Sequence, residues 1–185
     1  MLVFLVTGPT GAGKSSVARR LRQHGYHAVS LDSAPLLCAW TDAAGRPVER
    51  PADPDRAWLA RHRWTWDANR LDQIIDEAAR EGNGVLWLCG YAANALPLAD
   101  RFDRVFLLTI SRDTMVRRLR ARADRNDFGR TEETLSAAST YYREFMEAWQ
   151  QHGAIRIDAG HSLHHVVEDL RLAALEAALD LPDRH

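Results

Sequence analysis

Residues 8–15 read Gly-Pro-Thr-Gly-Ala-Gly-Lys-Ser and match the pattern G-x-x-x-x-G-K-S/T at every fixed position. The apolar, partly β-branched run at residues 2–6 precedes them and is typical of a buried parallel strand. Residues 14–24 follow, with Val17, Ala18 and Leu21 at helical spacing. Strand, glycine-rich loop and helix in this order are the context in which the pattern binds phosphate. The stretch therefore predicts a phosphate-binding loop.

The residue types in this loop explain how it would bind a nucleoside triphosphate. Glycine allows positive φ angles, so backbone N–H groups can gather around phosphate oxygens at the positive end of the following helix. Lys14 is expected to reach the β- and γ-phosphates, and the Ser15 hydroxyl to ligate Mg²⁺. ATP and Mg²⁺ are therefore the predicted cofactors, and the alternative is a glycine-rich turn without a ligand. The predicted nucleotide-binding residues of the loop are Gly8, Pro9, Thr10, Gly11, Ala12, Gly13, Lys14, Ser15 and Ser16.

Length and composition restrict the remaining possibilities. The chain has 185 residues, 46% of them hydrophobic, which predicts one globular domain over residues 1–185. A formal net charge of −1 argues against a nucleic-acid partner bound through a broad basic surface. Cys38 and Cys89 match no metal-ligand spacing and are expected to be free thiols in a reducing compartment. We see no signal peptide and no membrane-spanning run, so we expect a cytoplasmic protein; no pattern specifies its oligomeric state.

Apolar runs that alternate with helical patterns predict an α/β fold. The predicted strands are residues 2–6, 27–31, 84–90, 103–110 and 154–157. The predicted helices are 14–24, 33–40, 56–81 with a break near 66–67, 111–123, one capped by Thr131, and 162–179. This order predicts three layers, in which helices cover both faces of a five-stranded parallel sheet. Two segments, residues 38–70 and 124–130, are predicted to be small mobile excursions from the domain.

Glycines and polar residues follow directly after the predicted strands. Gly8, Asp32, Gly90 and Ser111 each hold this position, and the carboxyl ends of parallel strands share the edge of the sheet where ligands bind. A carboxylate there can orient an acceptor hydroxyl, take its proton or hold a metal-bound water, which makes Asp32 a candidate. The alternative is that Asp32 caps the next helix. Ser15 and Asp32 are the predicted metal-side residues.

The order of elements resembles the P-loop small-molecule kinases, namely the adenylate kinase-like, shikimate kinase-like and dephospho-CoA kinase-like group. The resemblance covers nearly the whole chain and implies the P-loop fold, although only the phosphate loop is a highly specific match. It implies that Asp32 lies near Mg²⁺ and the acceptor hydroxyl. Two of these families often carry D-x-D at this position, whereas this chain reads Asp32-Ser33-Ala34 and lacks the second carboxylate.

Residues 88–91, Leu-Cys-Gly-Tyr, resemble the strand-end motif D-G-Y/F-P-R of nucleoside monophosphate kinases. Cys89 replaces the aspartate and Ala-Ala replaces Pro-Arg, so the usual metal-side carboxylate and phosphate-binding arginine are absent there. Gly90 would allow close approach of the backbone, and Tyr91 and Asn94 would face the acceptor. Packing in the core or the loop is the alternative for both side chains.

Residues 118–122, Arg-Leu-Arg-Ala-Arg, resemble the R-L-x-x-R that opens the lid of adenylate kinase-like proteins. The resemblance implies that Arg118 lies near the adenine and Arg122 near the phosphates, where a guanidinium suits the charge of the group being transferred. Arg125 and Arg130 are further lid candidates. A solvated basic helix face is the alternative for these arginines. The predicted catalytic residues are Lys14, Asp32 and Arg122.

Residues 38–70 are unusually rich in tryptophan and arginine and form the predicted acceptor site. Aromatic faces stack on flat rings and guanidiniums hold phosphate or carboxylate, which suits a nucleoside, nucleotide or aromatic acceptor. The alternative is packing, with Trp58 and Trp66 anchoring the excursion to the sheet. The candidates for acceptor binding are Asp32, Trp40, Arg46, Trp66, Gly90, Tyr91 and Asn94.

Two functions from different classes are consistent with these patterns. The first is an ATP-dependent phosphotransferase that moves the γ-phosphoryl group to a small-molecule acceptor, favoured by the lid-like segment and the separate excursion. The second is a nucleotide-binding switch or slow NTPase that controls a protein partner, favoured by the missing carboxylates. Because a simple switch needs no lid, we predict the phosphotransferase.

Overall fold

The computed structural model describes residues 1–82, 84–121, 128–129 and 131–179. In chain order the elements are β1 (Leu2–Thr7), α1 (Lys14–Gln23), β2 (His27–Ser30), β3 (Cys38–Thr41), β4 (Pro47–Val48), α2 (Arg56–Arg61), β5 (Arg63–Trp66), α3 (Ala68–Arg80), β6 (Val85–Cys89), β7 (Arg104–Thr109), α4 (Arg112–Arg120), α5 (Glu132–Gln151), β8 (Ile155–Asp158) and α6 (Leu163–Leu179). Short 3₁₀ turns add Leu31–Ser33 after β2 and Leu96–Arg101 before β7.

Five of the strands form a parallel sheet in the order β2-β6-β1-β7-β8. β1 lies at its centre, with Leu2 paired to Val85 of β6 and Phe4 paired to Arg104 of β7. The chain leaves β1 toward β2 on one side and leaves β7 toward β8 on the other. Such a reversal opens a crevice at the carboxyl ends of the two strands. The predicted three-layer fold with a five-stranded parallel sheet is confirmed.

Helices cover both faces of the sheet because successive side chains of β1 point to opposite sides. Phe4 and Val6 belong to one apolar cluster, together with buried residues of α1, α4 and α6. Val3 and Leu5 belong to the other, together with buried residues of α3 and α5. All four side chains are buried, so the strand that leads into the phosphate loop is fixed from both faces.

The excursion at residues 38–70 contains a small antiparallel sheet in the order β4-β3-β5, which we call the insertion sheet, and helix α2. The predicted helix over residues 33–40 is wrong, because β3 begins within that range. The predicted helix over residues 56–81 is confirmed at α2 and α3 and is wrong only between them, where β5 forms. Both errors lie where strands replace an expected helix.

Pairing between distant segments explains these strands. Cys38 aligns with Trp66 and Thr41 with Arg63, a contact that no local pattern in either segment reveals. The break expected near residues 66–67 is confirmed, since the Asp67 carboxylate caps α3 by accepting a hydrogen bond from the Arg70 N–H at 2.8 Å.

Two further helices begin at a side-chain cap, one of them the predicted cap at Thr131. The Ser111 hydroxyl accepts a hydrogen bond from the Thr114 N–H at 3.1 Å at the start of α4. The Thr131 hydroxyl accepts one from the Thr134 N–H at 3.2 Å at the start of α5. Within the described ranges, no helix has both the length and the apolar content needed to cross a membrane.

Candidate functional site

The phosphate loop, residues 8–15, joins the buried end of β1 to α1 in a conformation that its glycines permit. Gly13, directly before α1, has a φ of 99°, in the left-handed region that glycine adopts without steric cost. A Cβ atom at Gly8 would lie 2.8 Å from the Leu108 carbonyl oxygen, so only glycine fits where the loop passes β7. The first N–H groups of α1 have no acceptor within the helix and point toward the crevice, as at other anion-binding helix ends.

Lys14 is the only lysine in the chain, and its side chain is buried. Its Nζ donates hydrogen bonds to the carbonyls of Gly8 at 2.9 Å and Pro9 at 3.0 Å, and lies 5.8 Å from the centroid of the Tyr91 ring. Ser15, the next residue, is exposed at the start of α1. One cation and one hydroxyl therefore lie beside the backbone amides of the loop, an arrangement suited to a polyphosphate.

Arg118, on α4, links the phosphate loop to the loop that follows β8. Its Nη2 donates a hydrogen bond to the Ala159 carbonyl at 2.8 Å, and its Nη1 donates one to the Gly11 carbonyl at 3.4 Å. The guanidinium thus lies beside the phosphate loop, and its predicted contact with adenine stays a prediction. The predicted lid residues Arg122, Arg125 and Arg130 lie outside the described residues.

Asp32 lies in the 3₁₀ turn that follows β2 and is half-buried. Its Oδ1 accepts a hydrogen bond from the Tyr91 N–H at 3.2 Å, so the backbone after β6 orients the carboxylate. Asp32 lies inside this turn, whose N-cap is Ser30, and strand β3 follows, so the alternative in which Asp32 caps the next helix does not apply.

A cleft of about 1180 Å³ connects these groups. It extends from the phosphate loop past Asp32 to the insertion sheet and α5, and it exceeds the usual 300–1,000 Å³ of a pocket for one ligand. On the insertion side its lining residues include Trp40, Arg50, Leu59, His62, Arg63, Trp64, Phe128, Ala137, Tyr141 and Phe145. The cleft is therefore large enough for a nucleotide and a second small molecule.

Aromatic side chains and a cation form the wall on the insertion side. The Trp40 ring centroid lies 5.8 Å from that of Trp64, its partner across the insertion sheet, and 6.2 Å from that of Phe128. The Arg63 guanidinium lies 5.3 Å from the centroid of the Tyr141 ring, within range of a cation–π interaction. The wall thus combines flat apolar faces with positive charge.

Four predicted acceptor-binding residues do not line the cleft formed by the described residues. Arg46 lies on an exposed turn, where its Nη2 pairs with the Asp42 carboxylate at 2.7 Å. The Trp66 side chain is buried, and a Cβ at Gly90 would lie 3.0 Å from its ring. Asn94 holds the backbone of Trp66 through hydrogen bonds of 2.9 and 2.8 Å. Trp66, Gly90 and Asn94 thus have roles in packing and support, whereas Arg46 forms an exposed ion pair. The candidates that do line the cleft are Asp32, Trp40 and Tyr91.

Three residues that line the cleft are not among the predicted acceptor-binding residues: Arg50, Arg63 and Tyr141. The arginine-rich composition of residues 38–70 was the only signal for Arg50 and Arg63. Tyr141 gave no signal, because its position on α5 depends on how that helix packs against the insertion.

The residues at the crevice fit Mg²⁺ through oxygen atoms rather than through Cys89. Burial raises the pKa of the Cys89 thiol to about 12, so the thiol stays protonated and is a poor substitute for the missing carboxylate. In the described part of the chain no three His, Cys, Asp or Glu side chains cluster closely enough to hold a metal. Mg²⁺ needs few protein ligands when phosphate oxygens and waters complete its shell, and the Ser15 hydroxyl and Asp32 carboxylate both line the cleft.

Comparisons with known proteins concern the fold and the family of this chain. TT1252 from Thermus thermophilus is 20% identical over 95% of this chain and 97% of its own, with a TM-score of 0.58. A gluconokinase from Sinorhizobium meliloti 1021 is 18% identical over 97% of this chain and 98% of its own, with a TM-score of 0.49. At this identity the TT1252 structure bears on the fold alone, and the gluconokinase structure, at its TM-score, bears on neither fold nor function. No curated protein matches the sequence. A family model described as an AAA domain matches residues 5–136, so the chain belongs to this family of P-loop NTPases.

Proposed function

We propose that the protein is an ATP-dependent phosphotransferase that moves the γ-phosphoryl group of Mg-ATP to a small-molecule acceptor. The observation that carries the proposal is the single cleft, with a phosphate loop at one end and an aromatic, cationic wall at the other. Asp32 lines the cleft and is held by Tyr91, whose ring faces Lys14. A slow NTPase needs the phosphate loop but not the aromatic, cationic wall.

The phosphate loop and its neighbours would bind and orient ATP. Backbone amides of the loop and the Lys14 ammonium bind the phosphates, and Arg118 lies on the side expected for the base. The Ser15 hydroxyl and the Asp32 carboxylate would hold Mg²⁺, which would neutralise phosphate charge when bound. Because the protein supplies mainly positioning and positive charge, the reaction suits a loop that is rigid and fixed to the sheet.

At the acceptor, Asp32 would accept the proton. The acceptor oxygen forms a bond to the γ-phosphorus while the bond from that phosphorus to the bridging oxygen of ADP breaks. The hydroxyl proton passes to the Asp32 carboxylate and then to solvent, so the products are phosphorylated acceptor, ADP and one proton. Arg122 is proposed to stabilise the charge on the transferring group. Since the reaction consumes ATP, we expect the protein to act in the cytoplasm.

A screen for ADP release over nucleosides, nucleotides and small hydroxyl metabolites tests the proposal, with mass spectrometry to detect the phosphorylated product. We expect at least one acceptor to raise turnover well above the hydrolysis seen with water alone. If none does, the phosphotransferase is excluded for the screened classes. A change in partner affinity or oligomeric state between ADP and ATP would then favour a nucleotide-binding switch.

A further inference from the structure

The wall on the insertion side of the cleft contains a guanidinium whose position is fixed by the end of α2. Nη1 of Arg63 donates hydrogen bonds to the carbonyls of Ala60 at 2.9 Å, His62 at 3.0 Å and Leu59 at 3.3 Å. The other two nitrogens of Arg63 make no hydrogen bond to the residues described in this structure. The guanidinium is therefore held by one nitrogen while its remaining N–H groups are available to a ligand.

A flat surface lies beside this cation. The Tyr141 ring lies 5.3 Å from the Arg63 guanidinium, and Trp64, the next residue in β5, also lines the cleft. Ala137 lies one turn before Tyr141 on α5 and also lines the cleft, so the small side chain leaves space beside the ring. An aromatic ring that enters this space meets the Tyr141 ring, against which a flexible aliphatic chain gains less.

The same cleft contains the residue proposed to take the proton. Asp32, Arg63, Tyr91 and Tyr141 all line it. Burial raises the pKa of the Tyr91 phenol, Tyr141 adds to the rise and Arg63 opposes it, in keeping with this shared location. Tyr91 also holds Asp32 through its backbone. A small molecule held at Arg63 therefore shares the cleft with Asp32. The other charged side chains on this part of the wall are Arg50 and the exposed Glu144.

We propose that Arg63 and Tyr141 select the acceptor, and that the acceptor is an aromatic ring carrying a carboxylate or phosphate. The anionic group accepts charge-assisted hydrogen bonds from Arg63, and the ring stacks beside Tyr141. The inference rests on the proposed phosphotransferase and deepens it by naming the acceptor class.

Matched compounds test charge and aromaticity separately. Binding of 3-hydroxybenzoate, its neutral amide and 3-hydroxycyclohexanecarboxylate is measured by calorimetry on the full chain, saturated with Mg²⁺ and a non-hydrolysable ATP analogue. AMP and adenosine form a second matched pair, which tests a phosphate in place of the carboxylate. We expect at least one aromatic anion to bind about tenfold more tightly than its neutral counterpart, the ratio typical of one charge-assisted hydrogen bond. We expect a preference of about the same size over the aliphatic counterpart, because the aliphatic ring cannot stack.

Variants assign that preference to the two residues. Arg63→Ala should remove the preference for the anion, whereas Arg61→Ala should keep it. Arg61 is a matched control because its Nε also donates to an α2 carbonyl, that of Ala57, but it does not line the cleft. Tyr141→Leu should weaken the binding of aromatic compounds relative to that of the cyclohexane analogue. Tyr141→Phe should leave this ratio unchanged.

Several outcomes would overturn the inference. Equal binding of charged and neutral rings, equal binding of aromatic and aliphatic acids, or no binding by any member of the panel would each do so. If Arg63→Ala does not fold, the compound pairs on the unmodified protein still decide. ADP release with a neutral or aliphatic acceptor would leave the phosphotransferase standing and remove this acceptor class, so the two proposals fail separately.

Discussion

At the scale of single residues, the position of Asp32 depends on a backbone group of another segment. The Tyr91 N–H fixes one carboxylate oxygen, and the ring of the same tyrosine faces the Lys14 ammonium. Asp32 therefore belongs to the crevice, although the chain lacks the second acidic residue found in related patterns. A neutral substitution of Asp32 that keeps its Oδ1 atom therefore tests the role of the negative charge without changing the hydrogen bond from Tyr91.

Asp32→Asn should leave the phosphate loop in place and slow phosphoryl transfer to the acceptor. The asparagine Oδ1 can still accept the Tyr91 N–H, but the side chain can no longer take a proton. We expect kcat to fall by about 10²- to 10⁴-fold, the range typical of lost general-base catalysis, with ATP affinity within about twofold by calorimetry. Asp76→Asn, an exposed change on α3, is the control. Unchanged turnover would exclude Asp32 from the reaction.

Burial of Cys89 predicts a dependence of stability on pH. Its pKa is raised to about 12 in the folded protein, mainly by desolvation, whereas an unfolded thiol titrates near pH 8.5. The folded state holds its proton more tightly, so this contribution to stability is complete below about pH 8.5 and is lost as the pH rises toward 12. Urea unfolding between pH 8 and 10.5 should therefore show a shallower decline in Cys89→Ala than in the unmodified protein.

Alkylation provides an independent check of the same thiol. Because only the thiolate reacts, Cys89 in the folded protein should be labelled by iodoacetamide far more slowly than in urea at pH 8. Rapid labelling of Cys89 in the folded protein would contradict the burial described here.

At the scale of elements, residues 90–94 connect the main sheet to the insertion sheet. Gly90 follows β6, Tyr91 binds Asp32, and the Ala93 N–H donates a hydrogen bond to the Trp64 carbonyl at 2.8 Å. The Asn94 side chain completes the connection through the Trp66 backbone. The orientation of the wall on the insertion side, relative to the phosphate loop, therefore depends on residues 90–94.

Asn94→Ala should loosen β5. Removing both hydrogen bonds leaves the Trp66 N–H and carbonyl without these partners, at a cost of about 1–3 kcal/mol in the free energy of unfolding. Hydrogen exchange at the Trp66 amide should accelerate, and KM for the acceptor should rise while ATP affinity stays constant. Asn69→Ala, at an exposed position of α3, is the matched control. An unchanged exchange rate at Trp66 would show that Asn94 does not support β5.

Glycines at the two ends of β6 provide a second comparison. A Cβ at Gly90 would lie 2.6 Å from the Leu31 Cβ, whereas a Cβ at Gly84 would meet no atom within 4 Å. We expect Gly90→Ala to lower the free energy of unfolding by about 1–3 kcal/mol through overpacking next to Asp32. Gly84→Ala should stay within about 0.5 kcal/mol of the unmodified protein. Equal urea midpoints for the two variants would contradict the close approach at Gly90.

These elements also show why the sequence predicts some parts and not others. β1 and the phosphate loop are local: a run of five apolar residues and a fixed glycine and lysine spacing specify them without reference to the rest of the chain. β3 and β5 are short strands whose stability comes from pairing with each other, and Trp64 and Trp66 lie in a stretch that also fits a helix. The contact between Arg63 and Tyr141 joins β5 to α5, so it exists only once the insertion has folded onto that helix.

At the scale of the whole molecule, the phosphate loop couples nucleotide binding to global stability because β1 is buried on both faces. Mg-ATP that binds the folded state alone should stabilise it. At 100 times the dissociation constant, the gain is about 2.7 kcal/mol, or about 5–10 °C in Tm for a chain of this size.

Lys14→Ala should abolish most of that thermal shift. The loss follows from removal of the only lysine and its charge at the phosphates. Arg19→Ala, an exposed cation on the same helix, should keep the shift and controls for net charge. A full shift in Lys14→Ala, measured by scanning fluorimetry, would contradict the assignment of this loop to ATP.

The central place of β1 also has a consequence for biosynthesis. Its two neighbours, β6 and β7, end at Cys89 and Thr109, about a hundred residues later in the chain. A ribosome that adds 5–20 residues per second needs roughly 5–20 s to produce them after β1 has been made. For that interval the nascent chain carries an apolar strand whose neighbouring strands have not yet been made. The speed of translation thus determines how long the strand leading to the phosphate loop is open to aggregation.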